Sequence, residues 1–144
     1  MKLPIRVSED SREPIYHQIE YQLKTLIVGG QLPPGTPLPS IRVLAGDLSC
    51  SVITTRRAYQ NLETSGYIKT VQGKGTFVRE IEEPHKKETK EKVVYDALQK
   101  AIEQGMQLGA TKEELRVIFE DVLKVTPLEE VNTESFLRKK KKVM

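Results

Sequence analysis

Apolar residues recur at helical spacing early in the chain. Ile15, Ile19, Leu23, Leu26 and Ile27 fall on one stripe, which predicts a core helix over the segment from Ser11 to Val28. Ser11 offers a cap, Pro14 sits near the helix start where its missing N–H costs little, and Gly29-Gly30 end the element. The following QLPPGTPLP reads as a loop, because its prolines forbid a continued helix and Gly35 suits a turn. Periodicity resumes behind Ser40, a predicted cap, with Ile41, Leu44, Ala45 and Leu48 facing inward. After the short turn LSCS, Ser51 caps a third helix that runs to about Thr64 and stops at Ser65-Gly66. With Thr55 at the centre of its buried face, Ala58, Tyr59 and Leu62 return to the same side. Ile53, Arg57 and Gln60 are left on the opposite side, flanked by Thr54 and Arg56. Tyr67 to Val71 and Thr76 to Arg79 then read as two short strands joined through Gln72-Gly73-Lys74-Gly75.

Beyond this hairpin the composition shifts to EIEEPHKKETKEK, which predicts a linker over residues 81–92 that turns into a helix. Val94, Leu98, Ala101, Ile102 and Met106 form its stripe, ending near Gly109. Thr111 and Glu114 make a capping-box signature for one more helix, lined by Leu115, Ile118, Phe119, Val122 and Leu123. Two helices of this size bury little alone, so their stripes want a partner, most simply the same helices of a second subunit. That homodimer interface is expected at Val94, Leu98, Ala101, Ile102, Leu115, Ile118, Phe119 and Val122. The expected fold class is mainly α with a small β element (α+β). It comprises a winged helix-turn-helix over residues 1–80, the linker 81–92, a two-helix dimerisation region at 93–125 and a polar, basic tail at 126–144. The tail closes with Arg138 and four lysines, a solvated run or an arm that adds salt-sensitive affinity for DNA.

At 144 residues the chain has room for one ordinary domain and a small appendage, which leaves none for an added catalytic or sensing domain. The net charge of +3 says little. Its distribution says more: between Ser40 and Arg79 six basic residues face two acidic ones, where the motif predicts contact with DNA. Cys50 is the single cysteine and has no internal disulfide partner, which agrees with a reducing cytoplasm. In LSCS it is expected to plug the gap between two helices. No apolar run approaches the ~18 residues of a membrane span, so a soluble cytoplasmic protein with no membrane partner is expected. His17 and His85 are separated and make no metal set with Cys50. Without a nucleophile–base constellation, phosphate-cradling loop or paired carboxylates, neither an enzyme nor a cofactor is expected.

A helix-turn-helix places its second helix in the major groove, first turns nearest the bases. Candidate DNA-binding residues are therefore Ser51, Val52, Ile53, Thr54, Arg56 and Arg57. Val52 and Ile53 offer only apolar contacts, and an outward isoleucine suits a thymine methyl; the arginines reach phosphate or guanine. Thr54 either reads a base or bonds within its own first turn. Arg42, just inside the preceding helix, can clamp a phosphate that Ser40 and nearby amides help hold, or else pair with Asp47. At the hairpin tip, Gly73 and Gly75 let the backbone approach DNA and Lys74 supplies charge.

Three pieces, PIYHQIEYQLKTLIVGGQLPPGTPLPSIRVLA, SVITTRRAYQNLETSGYI and GKGTFV, resemble the GntR family of bacterial transcription regulators over about Pro14 to Val78. The remainder, KVVYDALQKAIEQGMQLGATKEELRVIFEDVL, is similar to the short YtrA-type branch, whose members lack a large effector domain. The resemblance implies a homodimer joined largely by the carboxy-terminal helices and bound to an inverted repeat. It also implies DNA contacts from Arg42, Ser51 to Thr54, Arg56 and Gly73, and repression of operons for ABC transporters. Many other branches carry an arginine where this chain has Val52, so a different base preference is implied.

The expected mechanism is a dimeric repressor on a double-stranded operator, its half-sites ~34–36 Å apart. An unknown small-molecule effector would bind between subunits or between domains, since two short helices enclose no usual pocket. Two other readings stand beside it: a winged-helix module that binds protein, and a factor that coats DNA without sequence preference.

Overall fold

The computed structural model describes residues 2–127. Five helices and three short strands follow in the order α1 (Ile15–Val28), β1 (Pro37–Leu38), α2 (Ile41–Leu48), α3 (Val52–Thr64), β2 (Ile68–Val71), β3 (Gly75–Val78), α4 (Glu83–Gln107) and α5 (Lys112–Val125). The chain divides into two compact units, one through Lys86 and one from Lys87 onward. In the first unit, the buried stripe of α1 (Ile19, Leu23, Leu26, Ile27) packs with Leu44 of α2 and with Ala58, Tyr59 and Leu62 of α3. Ile68 and Val78 close this core from the sheet. Thr55 is fully buried, as its place at the centre of the α3 inner face requires; its hydroxyl donates to the Ser51 carbonyl at 3.1 Å.

The first helix starts later than its pattern suggests. Pro14, not Ser11, caps it, with φ −57° already near the helical value and its carbonyl accepting from the amides of His17 and Gln18. Ser11 instead closes a turn outside the helix by accepting from the Glu13 amide at 3.1 Å.

The segment before α1 carries no pattern that predicts burial, yet Leu3 and Ile5 belong to the core. Two glutamines hold it. Gln22 accepts from the Arg6 amide and donates to the Arg6 carbonyl, and Gln18 does the same for Ser8. Four residues of helix rise ~6 Å and two residues of extended chain ~6.6 Å, so the spacings match and each amide side chain pairs one residue's backbone.

The loop QLPPGTPLP contains a strand that its prolines conceal. Pro37 pairs with Phe77 and Leu38 with Thr76, making an antiparallel sheet of order β1-β3-β2. A proline is tolerated here because β1 is an edge strand and needs no second donor row. β2 and β3 form the hairpin, in register Ile68 with Val78 through Val71 with Gly75.

Between α2 and α3, Ser49 takes a left-handed conformation (φ 54°), and the Cys50 amide returns to the Ala45 carbonyl at 3.0 Å. Cys50 is half-buried against the core, its sulfur 3.3 Å from the Thr55 hydroxyl. A second tie joins the same elements: the Tyr59 hydroxyl donates to the Pro39 carbonyl at 2.6 Å. Burial pushes the phenol's pKa up, so it stays a neutral donor. The folded pKa lies above the unfolded one near 10, so this contribution is complete below that pH and is lost as pH rises beyond it. Tyr59→Phe is expected to cost about 1 kcal/mol in urea unfolding at neutral pH and to blunt the alkaline loss of stability. Unchanged stability in both ranges would discount the tie.

Residues 81–92, expected as a linker, are helical from Glu83 onward, while Ile81 is buried in the core. Pro84 lies in the first turn, where no intrahelical bond needs its N–H, and pairs such as Lys92 with Asp96 at 3.2 Å run along the surface. His85, in the same turn, reaches the Tyr67 hydroxyl at 3.2 Å. In the second unit, Thr111 and Glu114 form the expected capping box at the start of α5. The Thr111 amide, donating to Glu114, holds that carboxyl below its usual range. Gly105 allows the Leu115 side chain to come close, since a Cβ there would lie 2.7 Å from Leu115 Cδ2. No residue of α4 or α5 is buried. Among the described residues, no helix is long and apolar enough to cross a membrane, and no cluster of His, Cys, Asp or Glu could hold a metal. The basic run Arg138 to Lys142 lies outside the described residues.

Candidate nucleic-acid interface

The turn at Ser49 presents α3 with its inner face fixed by Thr55, Ala58, Tyr59 and Leu62 and its outer face open. Ile53 is 77% exposed there, an unusual state for an isoleucine inside a well-packed helix pair. Val52 is half-buried and Arg56, Arg57 and Gln60 are exposed. The first turn is tightly organised. Ser51 Oγ accepts from the Thr54 amide at 3.0 Å and donates to Thr54 Oγ1 at 2.8 Å. Both alternatives for Thr54 are thereby combined: it bonds within the turn as an acceptor, and its own O–H remains to donate outward.

Ser40 caps α2 by accepting from the Val43 amide at 3.2 Å, which leaves its O–H as a donor beside the helix N-terminus. Arg42 is exposed in that first turn and does not pair with Asp47. At the hairpin tip, the Lys74 amide donates to the Val71 carbonyl at 2.9 Å. Gly73 takes φ 78° at the third position of this turn, a conformation a side chain would strain. Nothing lies within 4 Å of where its Cβ would stand, so the backbone is open to an approaching surface. Lys74 is exposed.

Among the described residues, Arg42, Arg56, Arg57 and Lys74 form no ion pair. Their charge is therefore uncompensated within the first unit, which favours an anionic partner. One feature of the site is absent from the sequence pattern: the Arg57 guanidinium lies over the Tyr16 ring of α1, 3.9 Å from its centroid. Tyr16 and Arg57 are far apart in sequence, so only the tertiary packing of α1 on α3 brings them together.

The residues of the second unit expected at a dimer interface are solvent-exposed, apart from half-buried Leu115. Twelve large apolar side chains between Val94 and Val125 are exposed, against three in the first unit: Tyr21, Val43 and Ile53. The stripe spacing therefore marks these side chains as it marks a core, without a core within the chain to receive them.

The family model for bacterial regulatory proteins of the gntR family matches residues 15–78, which include α1 to β3. The chain is 34% identical over 111 residues to the HTH-type transcriptional repressor YtrA of Bacillus subtilis, covering 77% of this chain and 85% of that protein. A GntR family transcriptional regulator from Listeria monocytogenes superimposes with a TM-score of 0.64 at 30% identity, over 78% of this chain and 97% of that one. YtrA from Sulfolobus acidocaldarius, a GntR-family transcription factor, gives 0.52 at 36% identity, over 65% and 96%. Most of the chain, and not the winged helix alone, thus follows small regulators of one kind. Its open recognition face and unpaired arginines are those of a DNA-binding transcriptional regulator, and the chain belongs to the GntR family.

Proposed function

We propose that the chain acts as a homodimeric repressor that reads an inverted-repeat operator. The outward face of α3 carries this reading: an isoleucine 77% exposed beside arginines without carboxylate partners suits a groove that offers thymine methyls and phosphates together. Ile53 and Val52 touch base edges, and Thr54 donates to one. Arg56 takes guanine or phosphate and Arg57 takes phosphate. Arg42, with Ser40, clamps the backbone at the start of α2, and Gly73 and Lys74 place the hairpin tip against the strand beside it. Repression follows the similarity to the B. subtilis repressor, and an ABC transporter operon as target follows the YtrA-type pattern of the chain.

Selection from a random duplex pool, followed by affinity for the winner against scrambled DNA across a salt series, tests this. A short inverted repeat is expected, bound ~10³-fold or more above scrambled DNA. Enrichment of no sequence, with salt removing all binding equally, would reduce the chain to phosphate attraction.

A further inference from the structure

Along the seam between α1 and α3, two contacts lie one helical turn apart. Tyr16 receives the Arg57 guanidinium on its ring, and four residues further on each helix Glu20 accepts from the Asn61 amide at 3.3 Å. The arrangement leaves out the obvious pairing. Glu20, one turn along α1, bonds a neutral amide, while Arg57 stacks on a neutral ring and forms no ion pair among the described residues. The other carboxylate near the start of α1, Glu13, meets His17 at 3.2 Å.

A stacked guanidinium has its face covered and its N–H donors directed outward in the plane, so the ring restrains the cation without consuming its hydrogen bonds. Tyr16 is itself half-buried against the core and so gives a fixed platform. Arg57 is exposed, one turn beyond Ile53 on the same outer face. The stack draws it toward α1 and away from the first turn of α3, the part that enters the groove.

We propose that Tyr16 is a positioning residue for DNA binding, its ring holding the Arg57 guanidinium at the margin of the recognition face to take a backbone phosphate. This rests on the DNA-reading function proposed above. Less conformational freedom is then lost when the contact forms, because the long side chain is already placed.

The test uses the full chain and its selected duplex, with dissociation constants measured across a salt series for wild type, Tyr16→Phe, Tyr16→Leu, Arg57→Ala and the Tyr16→Leu/Arg57→Ala double variant. Arg57→Ala is expected to weaken selected and scrambled duplexes alike and to lower the salt slope by about one. Tyr16→Leu is expected to weaken binding ~2–5-fold, the range of an exposed cation–π contact, and Tyr16→Phe to bind as wild type because the ring face is retained. In the Arg57→Ala background, Tyr16→Leu should then have no further effect. Equal losses from Tyr16→Leu in both backgrounds would overturn the positioning role, as would a Phe variant as weak as Leu. Should Tyr16→Leu fold poorly, the salt slope of Arg57→Ala alone decides: an unchanged slope overturns the phosphate contact. A wild-type chain that binds no duplex would overturn the underlying function as well, whereas tight wild-type binding with uncoupled variants removes Tyr16 alone.

Discussion

Converting Arg42, Arg56 and Arg57 together to alanine is expected to abolish specific operator binding and leave the first unit folded. All three are exposed and none forms an ion pair among the described residues, so their loss strands no buried charge. The one internal contact removed is the stack on Tyr16, worth about 0.5–1 kcal/mol at an exposed site. Against that small loss stand three cationic contacts per subunit. A well-formed bidentate arginine–guanine pair discriminates by about 1–3 kcal/mol, and each phosphate contact adds about 0.9 to the salt slope. In a dimer the contacts double, so affinity should fall by ~10³-fold or more and the residual binding should lose most of its salt dependence. Fluorescence anisotropy on the selected duplex, with circular dichroism to verify folding, measures both. Retained affinity in a folded triple variant would move DNA recognition elsewhere on the chain and favour a protein-binding role for the outer face of α3.

How far this surface is legible in the sequence depends on the range of the forces involved. The inner and outer faces of α3 follow from the 3.6-residue period, so Thr55, Ala58, Tyr59 and Leu62 are placed inside and Ile53 outside without coordinates. The hairpin tip is equally local, because a turn closed between Val71 and Lys74 needs a residue such as Gly73 at positive φ. Local signals fail where partners are distant. β1 is two residues long and begins with a proline, so only Phe77 and Thr76 across the sheet reveal it. Burial of Leu3 and Ile5 depends on Gln18 and Gln22, whose amides look like ordinary surface groups until the extended segment lies beside them. The stack of Arg57 on Tyr16 is of the same kind. The early start of α4 has a different cause: a charge-rich segment with a proline resembles a linker, yet Pro84 falls in the first turn, the place where a helix accepts it.

Leu98→Glu combined with Ile118→Glu is expected to convert the protein to a monomer and to cut operator affinity by ~10²–10⁴-fold, the range that linked half-site binding supplies. The two side chains are 41% and 54% exposed on α4 and α5, and no residue of either helix is buried, so neither substitution opens a cavity within the chain. In an interface between copies the same positions would bury about 1.5–3 kcal/mol each per subunit, and a carboxylate in their place would require desolvation without a partner. Sedimentation velocity reads the mass, and binding to a full inverted repeat against a single half-site reads the consequence. For a dimer the full repeat is far tighter; for the double variant the two duplexes should bind almost equally, because each winged helix then meets its half-site alone. The arginine and apolar variants therefore separate the two contributions to repression. Loss of the arginines removes both half-site and full-repeat binding, whereas loss of the apolar stripe leaves the half-site affinity and removes the advantage of the repeat. A double variant that still sediments as a dimer would refute the division of labour between the winged helix and the carboxy-terminal helices.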